Sequence, residues 1–155
     1  MNSNSIKKLA KRFRDSICKA KGNGEFNDDF MFCNFPRGCC GDAADLLGIF
    51  LMENGIKDVL YVCGNCYEGL DEGMQSHAWL QIADLIVDIT GDQFRCDERY
   101  YYYDETVYVG PLDDFHKLFE VRPCMDIRQV VNINNCSEVC RGRLQKLYLI
   151  IMEYL

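Results

Sequence analysis

The sequence predicts one domain that combines α-helices with β-strands. Its 155 residues are about the length of one domain, and 48% of them are hydrophobic, as is ordinary for a globular protein. Several segments have apolar residues at helical spacing, and short apolar runs between them have the length and composition of strands. No internal repeat or low-complexity linker divides the chain, so we expect a single domain over residues 1–155.

The helices are predicted from the spacing of their apolar residues. They cover residues 5–20, 41–54, 113–120 and 137–154. The first has Ile6, Phe13 and Ile17 on one face and basic residues on the other, and it ends at Gly22. In the second, the expected buried stripe consists of Ala43, Ala44, Leu47, Phe50 and Leu51. Ser137 is the expected N-cap of the last helix.

Runs of β-branched and apolar residues predict the strands. They cover residues 59–62, 78–82, 85–89 and 106–109. Only Ala83 and Asp84 separate the second strand from the third, so these two are expected to form an antiparallel hairpin. Residues 64–75 contain three glycines and are expected to form a mobile loop.

The charge and hydropathy patterns exclude some classes of partner. The net charge of −7 and the pI of about 4.8 argue against nucleic acid or an anionic membrane as a partner. No apolar run reaches the roughly 18 residues that a membrane span needs. The N-terminal segment is an amphipathic basic helix rather than an export signal, so we expect a cytoplasmic protein that acts on a peptide or protein substrate.

Three residues in chain order suggest thiol chemistry on acyl groups: Cys40, His77 and Asp88. Cys40 lies at the start of the second helix, where free backbone N–H groups and the helix dipole favour a thiolate and can stabilise an oxyanion. His77 precedes the hairpin and Asp88 lies eleven residues later, so a reversal at residues 83–84 brings them together. We expect Asp88 to accept the Nδ1–H of His77, which would leave Nε2 facing the thiol.

Other residues near these three are further candidates for the site. Cys39 also lies at the helix start, and the spacing alone does not choose between Cys39 and Cys40 as the nucleophile. Gln93 and Gln75 are candidate oxyanion donors, and Gln93 is the better placed because it follows the Asp88 strand. Trp79 is a candidate substrate contact because it lies beside His77.

Ten cysteines are many for this length, and two pairs of them have spacings that metal sites use. These pairs are Cys63 with Cys66 and Cys136 with Cys140, which raises the alternative of a structural zinc site. The competing interpretation is that most of the cysteines are reduced, small and apolar core residues. The predicted chemistry of the three site residues needs neither a metal nor a cofactor.

The motifs around these residues resemble the transglutaminase-like superfamily. The segment Arg37-Gly38-Cys39-Cys40-Gly41-Asp42, with its following helix and strand, is similar to the family's nucleophile segment. His77-Ala78-Trp79 is similar to its histidine motif, and Val87-Asp88-Ile89-Thr90 to its Asp-Pro-Thr motif, with isoleucine in place of proline. The resemblance covers residues 36–94, and no calcium-loop pattern is present.

This resemblance implies a papain-like α+β fold, with the nucleophile helix packed on an antiparallel sheet. It assigns the nucleophile to Cys40, the base to His77 and the orienting carboxylate to Asp88. The expected activity is hydrolysis of peptide or glutamine amide bonds through a thioester. The alternatives are an acyl transferase of the transglutaminase type, a non-catalytic binding module on the same scaffold, and a zinc-stabilised interaction domain.

Overall fold

The computed structural model describes residues 2–67, 74–127 and 138–155. They form an antiparallel sheet with helices packed against one of its faces. The helices are α1 (Ser3–Gly22), α2 (Cys40–Glu53) and α3 (Glu138–Glu153). The strands are β1 (Val59–Tyr67), β2 (Met74–Ile82), β3 (Leu85–Asp88), β4 (Tyr108–Gly110), β5 (Glu120–Val121) and β6 (Met125–Asp126). This architecture is of the mixed helix-and-antiparallel-sheet class that the sequence predicts.

The sheet has the strand order β4-β3-β2-β1-β5, and β6 pairs with the other end of β1. β1 and β2 form its centre, in a register that places Gly64 opposite His77 and Val62 opposite Trp79. The turn at Ala83 and Asp84 joins β2 to β3, and Leu80 pairs with Val87. The antiparallel hairpin expected from the sequence is therefore confirmed.

The helices cover one face of the sheet because their apolar stripes coincide with the apolar residues of that face. The expected stripe of α2 is buried at all five positions. In α1, Ile6, Phe13 and Ile17 are also buried, and α1 contacts both α2 and α3. The ring of Phe13 stacks on Phe50 with the ring centroids 5.1 Å apart, which fixes α1 against α2.

The opposite face of the sheet carries a second, mainly aromatic cluster. Its buried members are Val62, Cys66, Trp79, Ile86, Phe94, Tyr100, Phe115 and Phe119. Side chains alternate between the two faces of a strand, so Trp79 and Ile86 belong to this cluster while Leu80 and Val87 face the helices. His77 shares the face of Trp79 and Asp88 shares the face of Ile86, so both lie on the aromatic side.

Several element boundaries differ from the sequence prediction. β1 continues to Tyr67 and β2 begins at Met74, so the expected loop over residues 64–75 is wrong at both ends; residues 68–73 lie outside the described residues. The expected helix over residues 113–120 is only a single 3₁₀ turn, His116–Leu118, and Glu120 already belongs to β5. The strand expected over residues 106–109 is β4, displaced to Tyr108–Gly110. The proposed N-cap Ser137 lies outside the described residues.

Among residues 2–67, 74–127 and 138–155, no helix combines the length and the apolar character that crossing a bilayer requires.

Candidate active site

Three elements bring Cys40, His77 and Asp88 together. Cys40 is the first residue of α2, His77 lies in β2, and Asp88 is the last residue of β3. The β2–β3 register places His77 and Asp88 on the same sheet face, and their side chains meet there. The carboxylate oxygen Oδ2 of Asp88 lies 2.8 Å from Nε2 of His77. The contact expected across the hairpin is therefore present.

Both oxygens of the Asp88 carboxylate accept hydrogen bonds. Oδ1 accepts hydrogen bonds from the backbone N–H of Thr90 at 2.8 Å and from the Thr90 hydroxyl at 3.1 Å. Oδ2 faces His77. Burial by itself would raise the pKa of Asp88, but the charge and hydrogen bond of His77, together with the neighbouring His116, lower it far below its usual range. Asp88 is thus a buried carboxylate that remains ionised.

The imidazole of His77 is completely buried, yet its surroundings favour its charged form. Burial by itself would lower its pKa, but the charge of Asp88 and the hydrogen bonds with Asp88 and Cys40 raise the pKa to about 9. Aromatic rings pack around the imidazole, with centroids 5.2 Å away for Phe94 and 5.5 Å away for Phe119. The ring can therefore hold a proton although it is removed from bulk water.

Cys40 is a half-buried thiol with a lowered pKa. Burial would raise this pKa, but the hydrogen bond and the charge of His77 outweigh it, and the backbone N–H of Ala78 contributes a further hydrogen bond to the sulfur. The position of Cys40 at the start of α2 adds the free N–H groups of a helix N-terminus. These surroundings favour a thiolate beside an imidazolium.

The orientation of the His77 ring is opposite to the sequence prediction. Nε2, rather than Nδ1, faces Asp88, and Nδ1 lies 3.1 Å from Nε2 of Gln93. The expectation that Asp88 accepts the Nδ1–H was therefore wrong. The cause is tertiary, because the ring's direction depends on where α2 and residues 91–94 meet β2, and the hairpin spacing does not contain that information.

Gln93 contacts His77 and lines the adjoining cleft. Its amide nitrogen also lies 3.1 Å from the Thr90 carbonyl oxygen, to which it donates. The cleft has a volume of about 340 Å³ and is lined by Arg37, Gln75, Gln93, Phe94, Cys96 and Asp97. Gln93 and Gln75, the two glutamines predicted from the sequence as oxyanion donors, therefore both line this cleft. Arg37 also lines it, a position that the sequence patterns did not predict.

Cys39 and Trp79 are placed in the two cores beside the site. Cys39 belongs to the core between the helices and the sheet, where burial and the adjacent Cys40 raise its pKa to about 12. Trp79 is 1% exposed, and its ring lies 5.6 Å from the ring of His77 and 5.0 Å from that of His116. Trp79 therefore packs beneath the histidine, and Cys40 is the thiol of the pair that contacts the imidazole.

The pairs of cysteines singled out for zinc do not form one site in the described residues. Cys63 and Cys66 are three residues apart in the same strand, so their side chains leave opposite faces of β1. Cys66 is buried in the aromatic cluster, and Cys63 is half-buried on the other face. The second pair includes Cys136, which lies outside the described residues.

A second histidine that the sequence patterns did not indicate, His116, also belongs to this site. Its Nε2 lies 3.4 Å from Oδ2 of Asp88, and the residue is completely buried. The available signal was composition, because His77 and His116 are the two histidines of the chain and Asp113 precedes the second by one helical turn. Their connection through Asp88 depends on a fold in which residues 113–119 cross over β2, which local sequence does not specify.

His77, Asp88 and His116 also meet the simplest requirement for a metal site. Each offers one ligand atom, and these atoms all lie within 4.8 Å of one another. Two imidazoles and a carboxylate are a donor set that Zn²⁺ accepts. However, the 2.8 Å separation of Nε2 of His77 from Oδ2 of Asp88 is that of a hydrogen bond, and Thr90 already donates two hydrogen bonds to Oδ1. These observations favour a proton network over a metal centre.

Comparison with known proteins gave no relative from which a function could be transferred. No protein-family model, curated protein or solved structure matches the chain.

Proposed function

We propose that this protein is a cysteine-nucleophile hydrolase that acts on peptide or glutamine amide bonds. Cys40 is the nucleophile, His77 the acid and base, and Asp88 the carboxylate that orients the imidazole. The observation that carries the proposal is the buried chain from the Cys40 thiol through His77 to Asp88, in which each group favours the charged form of the next. The resemblance to the transglutaminase-like superfamily, with its papain-like fold, supports the same assignment.

In the first half-reaction the Cys40 thiolate attacks the carbonyl carbon of the amide. The carbonyl electrons move onto oxygen, and N–H groups at the start of α2 are placed to stabilise this oxyanion. When the C–N bond breaks, the Nδ1–H of His77 protonates the leaving amine, since Nδ1 is the ring atom that faces away from Asp88. The Gln93 amide nitrogen, 3.1 Å from Nδ1, can donate to the ring only while Nδ1 is unprotonated, so it must move aside for this step. The products of this half-reaction are a free amine and a thioester on Cys40.

In the second half-reaction water attacks the thioester. Nδ1 of His77, now unprotonated, accepts a proton from the water, and the C–S bond breaks to give a carboxylic acid and the Cys40 thiolate. Asp88 stays ionised throughout and stabilises the imidazolium each time it forms. Transfer to an amine in place of water would use the same first half-reaction, so the nature of the acceptor is an outcome of the test.

The cleft beside Gln93 is the proposed binding place for the substrate. It lies next to His77 through the Gln93 contact. Of the nearby tyrosines, Tyr100 is 1% exposed and Tyr103 stacks on Phe115 at a centroid distance of 3.9 Å, so neither presents its ring to this cleft. Asp97 lines the cleft but pairs with Arg99 at 2.6 Å, so its charge is already compensated.

The first test is site-resolved alkylation of the native protein between pH 4 and 9, analysed by mass spectrometry. We expect Cys40 to react at pH values well below the reference thiol pKa of about 8.5. In His77→Ala the alkylation midpoint of Cys40 should rise, with a loss of reactivity of about tenfold for each pH unit of the shift. The exposed Cys124 of the same digest is the internal reference.

Activity is then measured with peptide and glutamine-containing substrates, with and without an added primary amine. New amino termini or released ammonia, absent in Cys40→Ala, would support hydrolysis, and incorporation of the amine would indicate transfer. A Cys40 whose reactivity follows that of Cys124 in both wild type and His77→Ala would contradict the proposal. The binding-module interpretation would then be the better one.

A further inference from the structure

His116 is a buried, titratable residue that the proposed mechanism does not use. It begins the 3₁₀ turn between β4 and β5 and is completely buried. Its Nδ1 lies 2.6 Å from Oδ1 of Asp113, and its Nε2 lies 3.4 Å from Oδ2 of Asp88. Asp113 and Asp88 therefore lie at opposite edges of one imidazole.

Asp113 fixes the orientation of that imidazole. Its Oδ1 accepts the backbone N–H of His116 at 2.9 Å as well as the ring Nδ1–H, and its Oδ2 accepts the hydroxyl of Tyr103 at 3.1 Å. A carboxylate can only accept hydrogen bonds, so Nδ1 carries a proton and Nε2 is the edge turned toward Asp88. The ring direction is thus determined by a residue outside the proposed catalytic trio.

The Asp88 carboxylate consequently lies between two imidazoles. Oδ2 is 2.8 Å from Nε2 of His77 and 3.4 Å from Nε2 of His116, and Thr90 occupies Oδ1. Gly91 closes a further side, because a Cβ at that position would lie only 2.8 Å from Oδ2. His116 therefore fills the space beside Oδ2 on the side opposite His77, into which the carboxylate could otherwise turn.

We propose that His116 is a positioning residue of the active site: Asp113 fixes its ring, and its Nε2 edge keeps the Asp88 carboxylate turned toward His77. The inference rests on the proposed function, since it assigns to His116 an effect on the reactivity of Cys40. His116 is not a catalytic residue, because Asp88 and His77 lie between it and the thiol. Its effect reaches Cys40 only through the orientation and charge of Asp88.

The competing interpretation is that His116 only packs. Its ring lies 5.0 Å from Trp79 and 4.9 Å from Phe115, which are contacts of a core residue. Several other titratable groups face His116 and could also contribute to a change in the pH dependence of Cys40 alkylation. These groups are Asp88 from β3, His77 from β2, Asp113 from the preceding turn, Tyr108 from β4, and Tyr103.

Two amide variants distinguish a positioning role of His116 from simple packing. Each variant replaces a different ring nitrogen of the imidazole by an amide nitrogen. In His116→Gln the side-chain amide can occupy the position of Nε2 beside Asp88. In His116→Asn the shorter amide can replace Nδ1 and bond to Asp113 but does not reach Asp88. Both variants have similar polarity, and both remove the titratable ring. The readout is the pH profile of Cys40 alkylation in a buffer with a chelator, together with the melting temperature.

In His116→Asn we expect Cys40 to be alkylated about tenfold more slowly at pH 6.5, with its midpoint moved by about one unit toward that of an ordinary thiol. In His116→Gln the rate should remain within about threefold of wild type, since the longer amide still fills the space beside Oδ2 of Asp88. Equal Cys40 profiles in wild type and His116→Asn would overturn the inference, even if the melting temperature falls. The wild-type profile tests the proposed function separately, since it does not depend on either variant.

A second pair of variants keeps the inference testable if the buried substitutions prevent folding. Asp113→Asn weakens the anchor of His116 at a partly exposed position, and Asp114→Asn alters the neighbouring carboxylate, which is exposed and pairs only with Lys117 among the described residues. We expect Asp113→Asn to slow Cys40 alkylation at pH 6.5 about threefold and Asp114→Asn to leave it unchanged. Equal rates in these two variants would contradict the inference.

Discussion

At the scale of single residues, the site shows how a buried charge can be retained. His77 and Asp88 are both removed from water, a change that would neutralise either residue alone. Each stabilises the charged form of the other across 2.8 Å, and Thr90 and Cys40 provide the remaining partners. The activation of Cys40 is thus a property of this group of residues rather than of the thiol itself.

Asp45 illustrates the opposite case, a carboxyl group that burial keeps protonated. It lies in α2, and its Oδ1 has no hydrogen-bond partner among the described residues. Burial, followed by the charge of Asp42, raises the pKa of Asp45 to about 7. Because the folded state holds this proton more tightly than the unfolded chain, Asp45 lowers the stability progressively as the pH rises from about 4 to about 7.

We therefore predict that Asp45→Asn stabilises the protein at pH 8 but not at pH 4. The gain at pH 8 should be on the order of 2–4 kcal/mol, since the variant removes the cost of ionising a buried carboxyl. Urea unfolding of wild type and variant at the two pH values measures this difference. Asp84→Asn, in the exposed turn between β2 and β3, is the control for adding an amide. A gain of equal size at both pH values would contradict the assignment.

At the scale of elements, α2 must lie close to its neighbours to present Cys40 to His77. Gly48 lies in the middle of α2, where a Cβ would be 2.5 Å from Cγ1 of Ile127 and 2.9 Å from Cδ1 of the same residue. Ile127 is completely buried, so its side chain has little space into which it can move. The absence of a side chain at Gly48 thus allows this contact between the helix and residue 127.

We predict that Gly48→Ala destabilises the fold by about 1–2 kcal/mol, because overpacking exceeds the gain in helix propensity. Gly142→Ala is the matched control, since Gly142 lies in α3 with no atom within 4 Å of the added Cβ. That substitution should stabilise the protein by about 0.5–1 kcal/mol. Chemical denaturation of both variants checks the prediction, and a stabilised Gly48→Ala would show that residue 127 yields to the added methyl group.

At the scale of the whole molecule, Arg14 connects the N-terminal helix to the segment that holds the site. Its guanidinium donates to both oxygens of Asp92, at 2.9 and 2.8 Å, and also to the carbonyl oxygen of Ile89. These partners flank Thr90 and Gly91, next to Asp88, so α1 fixes the backbone on which the Asp88 carboxylate depends. Arg14 and Asp92 are both buried, and a buried charge without its partner is costly.

We predict that Arg14→Met destabilises the protein by about 3 kcal/mol, since it leaves the Asp92 carboxylate buried with only the half-exposed Arg95 as a cationic partner among the described residues. Cys40 alkylation at pH 6.5 should also slow, because Asp88 loses part of its backbone support. Arg12→Met, at an exposed position of the same helix, should change neither quantity. Thermal unfolding and alkylation measure the two effects, and an unchanged Cys40 profile in a folded Arg14→Met would refute the coupling.

The sequence by itself determined the helices α1, α2 and α3, the β2–β3 hairpin, and Cys40, His77 and Asp88 as the candidate site residues. Periodicity, turn residues and the order of motifs contain this information because it depends on interactions that are local in the chain. Only the tertiary structure decided which edge of His77 faces Asp88, that Cys63 and Cys66 lie on opposite faces, and that His116 and Asp113 join the site. These features depend on contacts between residues distant in sequence, such as residues 88 and 116, and no local pattern specifies how such segments meet.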